Sequence, residues 1–249
     1  MFERVISLGW FCSVAMETKR LGMRDASYPF DWLLTHNFSK VLEILEGESD
    51  TDMLLNNDEM LQYEGDASRW YNKRYQISLF HDFDKYKKMI YQLDSVNDKY
   101  KRRVHRLHEC VGATLFIRYV KDKDEAEYIR QNEEHIEKIV KLRNRENEIL
   151  YIAHPDFKQI LCNLRSRIYF VANDENDYVS REFLKALPEL ERYLIENVIC
   201  HPIFEADKSI KIAGGGGRAR NKIISWLRKQ AVKDNPIHQN GVLESTDDE

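Results

Sequence analysis

The sequence is short of several features that would assign it quickly. No apolar run approaches the roughly 20 residues that span a bilayer. Met1-Phe2-Glu3-Arg4 lacks the basic start and apolar segment of a secretory leader. Four cysteines, Cys12, Cys110, Cys162 and Cys200, are spread along 249 residues with no CxxC pair, which argues against a zinc ribbon and against a disulfide-stapled scaffold. Together these absences point to a reducing, cytoplasmic compartment with thiols rather than bridges. Gly214-Gly215-Gly216-Gly217 is not followed by Gly-Lys-Ser/Thr, so it is no Walker loop, and it lacks the spacing of a dinucleotide fingerprint. Asn173-Asp174-Glu175 is not a clear DxD motif, and there is no internal repeat. A net charge of −4 gives no global pull toward nucleic acid. The pattern asks for no cofactor and no metal.

What is present reads as one large α/β domain. Hydrophobic content of 43% beside 32% charged residues suits a globular fold. Arg4 to Trp10 predicts a buried strand and Ser13 to Leu21 a short helix stopped by Gly22. Asn37 caps a second helix whose Phe38, Val41, Leu42 and Leu45 fall on one face, with Gly47 closing it. Residues 48–70, weakly periodic and acidic, read as loop with short helical turns. Tyr75 to Phe80 predicts a strand. A long amphipathic helix follows through Tyr86, Met89, Ile90, Leu93 and Val96, and on to Tyr100, Val104 and Leu107, with a break expected near Asn97-Asp98.

The clearest βαβ signal comes next. Thr114 to Val120 and Ile149 to Ala153 read as strands around a helix over Asp124 to Asn144, and Arg167 to Ala172 as a further strand. Ser180 caps a helix over Arg181 to Leu194 that Pro188 bends or splits. Val198 to Phe204 and Ile210 to Ala213 are strand-like pieces. This alternation predicts a three-layer, mostly parallel, doubly wound sheet. The domain spans 1–213. A glycine hinge at 214–217, a basic amphipathic helix at 218–234 and a disordered tail at 235–249 follow. The helix, from Arg218 to Lys233, has the composition of a contact with a membrane surface or a partner, or of a segment docked on the core.

Candidate chemistry gathers at the first strand–helix corner. A strand that stops at Gly9 and meets Cys12 as a helix begins presents a thiol at the mouth of an α/β sheet. A helix N-terminus favours the thiolate, and amides around Gly9 to Ser13 suit an oxyanion. His81, after a predicted strand, is the expected base, with Asp31 or Asp82 to orient it. Arg118, a charge inside an apolar strand, is either a strand-end ion pair or a donor to a substrate carboxylate or phosphate. Asp174, in Asn173-Asp174-Glu175, marks a second acidic strand end. Trp32, in Pro29-Phe30-Asp31-Trp32, is an aromatic anchor for substrate.

Ser7-Leu8-Gly9 through Cys12, Leu21-Gly22-Met23-Arg24, Ser27-Tyr28-Pro29-Phe30-Asp31-Trp32 and Phe80-His81-Asp82-Phe83 carry a resemblance. The sequence resembles a bacterial and viral family of unknown function whose members are described as papain-like cysteine peptidases. The likeness runs through Leu115-Phe116-Ile117-Arg118. It implies a Cys–His pair, here Cys12 and His81. Papain's own sequence around its cysteine is absent, and a parallel α/β sheet is not papain's fold. The expected activity is a thiol-dependent hydrolase or acyl transferase acting on an amide or ester of a peptide or small acyl substrate. The alternatives are a glycosyltransferase or other sugar-nucleotide enzyme, with Arg118 and Asp174 at the donor, and a non-catalytic interaction module.

Overall fold

A computed structural model describes residues 1–47, 53–172 and 182–200. The protein is mixed α/β with two four-stranded sheets, one parallel and one antiparallel. The parallel sheet holds β1 (Arg4–Ser7), β6 (Thr114–Tyr119), β7 (Glu148–Ala153) and β8 (Arg167–Phe170), in that order. The antiparallel sheet holds β2 (Leu33–Thr35), β3 (Met60–Tyr63), β4 (Asp66–Asn72) and β5 (Ile77–Leu79), in the order β2-β5-β4-β3.

The parallel strands are apolar on both faces, as strands covered on both sides must be. Val5, Leu115, Ile117, Tyr119, Leu150 and Ile152 point into one core. That core also takes residues of α1 (Ser13–Arg20), α7 (Phe183–Ala186) and α8 (Pro188–Asn197). Ile6, Phe116, Ile149, Tyr151 and Ala153 point the other way. There they meet α2 (Phe38–Glu46), α3 (Leu93–His108), α4 (Lys123–Gln131), α5 (Glu133–Val140), α6 (Lys158–Leu161) and the inner side of the antiparallel sheet. Each fully buried Ile or Leu in these clusters contributes about 1.5–3 kcal/mol. Beside the outer edge of β1, Phe2 forms a parallel bridge with Val198, just after α8.

Local chemistry explains the helix ends. The Asn37 side chain accepts from Ser39 N at 2.9 Å, and Gly47 takes the left-handed conformation at the far end of α2. Pro188 opens α8, where its missing N–H costs nothing, and so splits the expected helix in two. Asn132, whose amide bonds back to Tyr128 O at 2.8 Å, divides the helix expected over 124–144 into α4 and α5. Asn97 does not break α3. Its side chain instead clamps Leu55, accepting from the backbone N at 2.8 Å and donating to the O at 3.0 Å. Residues 86–92 make only a 3-10 turn, Met89–Tyr91, ahead of α3.

The expected loop at 48–70 is the largest departure. Its second half is the β3–β4 hairpin, turned at Gly65 with φ 75°. The strand expected over 75–80 is the shorter β5, and it belongs to the antiparallel sheet. Asp174 and Ser180, the strand-like piece at Ile210 to Ala213, the Gly214–Gly217 hinge, the basic helix from Arg218 to Lys233 and the tail lie outside the described residues. Among the described residues no helix is long and apolar enough to cross a membrane.

Candidate active site

The corner after β1 is fixed from three sides. Leu8 N donates to Ile117 O at 2.8 Å and Tyr119 N to Gly9 O at 3.3 Å, which tie the chain to β6. Thr35 N donates to Trp10 O at 3.0 Å, which ties it to the end of β2. Gly9 has φ 78°, and a Cβ there would lie 2.5 Å from Thr35 Oγ1. Only glycine supplies both that backbone conformation and that approach.

Cys12 is the N-cap residue of α1 and is partly exposed. Its thiol makes no capping bond into the helix, and its Sγ lies 3.8 Å from Met16 Sδ. The N-cap position places it at the end of α1 that carries partial positive charge. Cys110 is buried and donates to Arg106 O at 3.2 Å. Ser13, the first residue of α1, is wholly buried.

Arg118 explains how the corner is held. Its side chain is fully buried and forms a two-pronged ion pair with Glu125, Nε to Oε1 at 2.8 Å and Nη2 to Oε2 at 2.6 Å. Nη1 donates to Leu8 O at 2.8 Å and to Thr35 Oγ1 at 2.5 Å, and Nη2 to Thr35 O at 3.2 Å. These five contacts match the five N–H groups of a guanidinium. Arg118 is therefore an internal clamp joining β1, β2, β6 and α4, the ion-pair alternative of the two open in the sequence.

The expected dyad partners fall elsewhere. Thr35 pairs with Ile77 and Leu33 with Leu79, so β5 runs away from the Gly9 corner. The two ladder positions from Thr35 to Leu33 span about 7 Å, and His81 is two residues further on and exposed. Asp31 is buried and accepts from Arg24 Nη2 at 2.5 Å and Tyr28 N at 2.7 Å. Burial pushes its carboxyl above the usual range against the pull of Arg24. Asp82 accepts from Lys99 Nζ and from Tyr100 Oη, the latter at 3.0 Å. Trp32 lies beneath the Arg24 guanidinium, 5.2 Å from its ring centre. The structure thus gathers Asp31, Asp82 and Trp32 with α3 and the Pro29 turn, while Cys12, Gly9 and Ser13 stand at the β1 corner.

The histidine that does reach the corner is His36. Its ring centre lies 5.4 Å from that of Trp10, two residues before Cys12. Its Nε2 is 2.7 Å from Ser78 Oγ, which is 2.7 Å from Tyr63 Oη, so a hydroxyl relay orients the imidazole. Tyr71 packs edge-on against it at 5.6 Å. Lys121 donates to His36 O at 2.9 Å. Burial, then the charges of Lys121 and Arg118, hold the His36 pKa below its ordinary value, which favours the neutral ring. The only sequence signal for His36 was its place between an apolar run ending at Thr35 and the cap Asn37.

Residues 3–156 match the sequence profile of the family described as Putative papain-like cysteine peptidase (DUF1796). The chain belongs to this family. The matched stretch contains the β1 corner, β2, the whole antiparallel sheet and Arg118. A relative in Acanthamoeba polyphaga mimivirus, Uncharacterized protein R408, is 26% identical over 137 residues, covering 47% of this chain and 60% of that protein. The match therefore spans less than two thirds of that relative's length. No solved structure matches the chain.

Proposed function

We propose that this family member is a thiol-dependent hydrolase or acyl transferase acting on an amide or ester. Cys12 is the nucleophile and His36 its base, in place of His81. The carrying observation is the placing of Cys12 at the N-terminus of α1, on a corner braced against the Trp10–His36 pair. Deprotonated Sγ attacks the carbonyl carbon. The proton passes to His36 and then to the leaving nitrogen or oxygen. Ser78 Oγ, itself bonded to Tyr63 Oη, engages Nε2 and leaves Nδ1 as the nitrogen that takes the proton.

A finer reading of the fold supports this place. The parallel Phe2–Val198 bridge returns the chain to the free side of β1 after three strands were added on the other side. On a three-layer, doubly wound reading, β1 stands beside the switch in strand order, and open α/β sheets bind ligands outside the strand ends at such a switch. The sugar-nucleotide alternative loses its main donor group, because the Arg118 N–H groups already have acceptors within the protein.

Iodoacetamide competition with peptide mapping tests the thiol. Cys12 is expected to react at least about tenfold faster than Cys110, Cys162 and Cys200, with a midpoint below the ordinary thiol value of about 8.5. Equal rates at all four thiols overturn the reading.

A further inference from the structure

Four buried side-chain nitrogen or oxygen atoms among the described residues have no hydrogen-bond partner: Arg4 Nε, Trp10 Nε1, Ser13 Oγ and Arg103 Nη1. Arg4 Nε still has the Asp25 carboxylate at 3.5 Å. Two of the four, Trp10 Nε1 and Ser13 Oγ, belong to residues that flank Cys12 in the sequence. Buried donors without acceptors are scarce in folded proteins, because they surrender a bond to water and gain nothing in return. Two within four residues, flanking an N-cap thiol, call for a missing acceptor.

The geometry indicates its charge. Ser13 is wholly buried and opens α1, an eight-residue helix. In a helix the Cα–Cβ bond tilts toward the N-terminus, so the Ser13 side chain leaves the backbone leaning toward the end where Cys12 stands. The first-turn amides at that end have no acceptor within the helix, and the end carries partial positive charge. An indole N–H donates and never accepts. Lys121 Nζ lies 5.7 Å from the Trp10 ring centre, where it is already paired with Asp122 Oδ2 at 2.9 Å and bonded to His36 O. An indole N–H and a hydroxyl beside a helix end suit a small oxygen anion.

We propose that Trp10 Nε1 and Ser13 Oγ form a two-donor site for an oxyanion beside Cys12. Two sources share that chemistry. One is a carboxylate carried by the substrate. The other rests on the thiol reading above: as the Sγ–C bond forms, the carbonyl π pair moves onto oxygen, the thiol proton moves to His36, and the resulting alkoxide takes the two donors.

The test follows the indole N–H resonances of the full chain with 15N-labelled tryptophan. The chain has four tryptophans, Trp10, Trp32, Trp70 and Trp226, and Trp10→Phe identifies the Trp10 signal. Sodium acetate is titrated into the Cys12→Ala protein, and N-acetylglycinal, an aldehyde that adds to thiols, into the unaltered one. A saturable downfield shift of the Trp10 signal alone is expected, weakened about tenfold or more in affinity by Ser13→Ala. A shift with acetate assigns a substrate carboxylate. A shift with the aldehyde alone, lost in Cys12→Ala, assigns the alkoxide. No Trp10 shift with either probe, or a shift indifferent to Ser13→Ala, overturns the site. If acetate shifts Trp10 while Cys12 proves no faster than the other thiols toward iodoacetamide, the oxyanion site stands and the thiol reading falls.

Discussion

An arginine in the middle of an apolar strand is tolerated only when its donors find acceptors. Arg118 meets that condition with Glu125, Leu8 O and both oxygens of Thr35, and its guanidinium also lies 4.8 Å from the centre of the Phe38 ring. Truncating one member of such a pair is costly mainly because the other charge is left buried and alone. Arg118→Met is therefore expected to lower stability by about 3–5 kcal/mol. The double variant Arg118→Met/Glu125→Met removes both charges and is expected to regain most of that loss. Urea unfolding of the wild type, single and double variants checks this. A double variant no more stable than the single one would show that the bonds to Leu8 and Thr35, rather than the stranded carboxylate, carry the cost.

At the scale of elements, the parallel sheet was legible because its signals are local. Apolar runs at 114–120 and 149–153 are separated by a helix-length charged segment, and their positions recur as β6 and β7. The caps of α2 were equally plain, since Asn37 and Gly47 act through their own neighbours. Of the antiparallel sheet only β5 was legible, within the strand expected over Tyr75 to Phe80. β2 is three residues long, and β3 has only Met60 buried, so neither gives a run or an alternation to count. His36 was missed for the same reason. It becomes a site residue only through the register of Thr35 with Ile77 and the contact of Thr35 with Gly9, partners far apart in sequence. That contact makes a prediction about how β1 and β2 are joined. Gly9→Ala puts a Cβ into Thr35 and a side chain on a positive-φ residue. The expected loss is about 1–3 kcal/mol. That corresponds to a fall of roughly 2–12 °C in Tm by differential scanning calorimetry. Adding Thr35→Ser removes the clashing Cγ2 and is expected to recover part of it. An unchanged Tm in Gly9→Ala would mean that the corner is not held against β2.

Across the whole molecule, the β2–β5 ladder separates two polar clusters that the sequence presents as one. At one end lie Cys12, Trp10, His36 and Lys121; toward the other lie His81, Asp82, Lys99, Tyr100 and, by the Pro29 turn, Asp31 with Arg24. In the second cluster Asp31 is spent on Arg24, and Asp82 on Lys99 and Tyr100, which ties the segment after β5 to α3. Substitutions at the two ends should therefore have separable effects on the thiol. A neighbouring imidazole that accepts the proton, together with nearby cations, lowers a thiol's apparent pKa. Burial, Lys121 and Arg118 disfavour the charged form of His36, so it takes the proton only as a thiolate forms beside it to offset that cost. His36→Gln is expected to move the midpoint of Cys12 alkylation upward, toward the ordinary value of about 8.5, with Tyr63 and Ser78 left in place. His81→Gln, altering an exposed side chain at the remote end, is expected to leave the midpoint where it is. The pH dependence of the iodoacetamide rate at Cys12, followed by mass spectrometry in both variants, separates the two. A midpoint that moves in His81→Gln and stays put in His36→Gln would return the base to His81 and require the β5 end to close onto the corner during reaction.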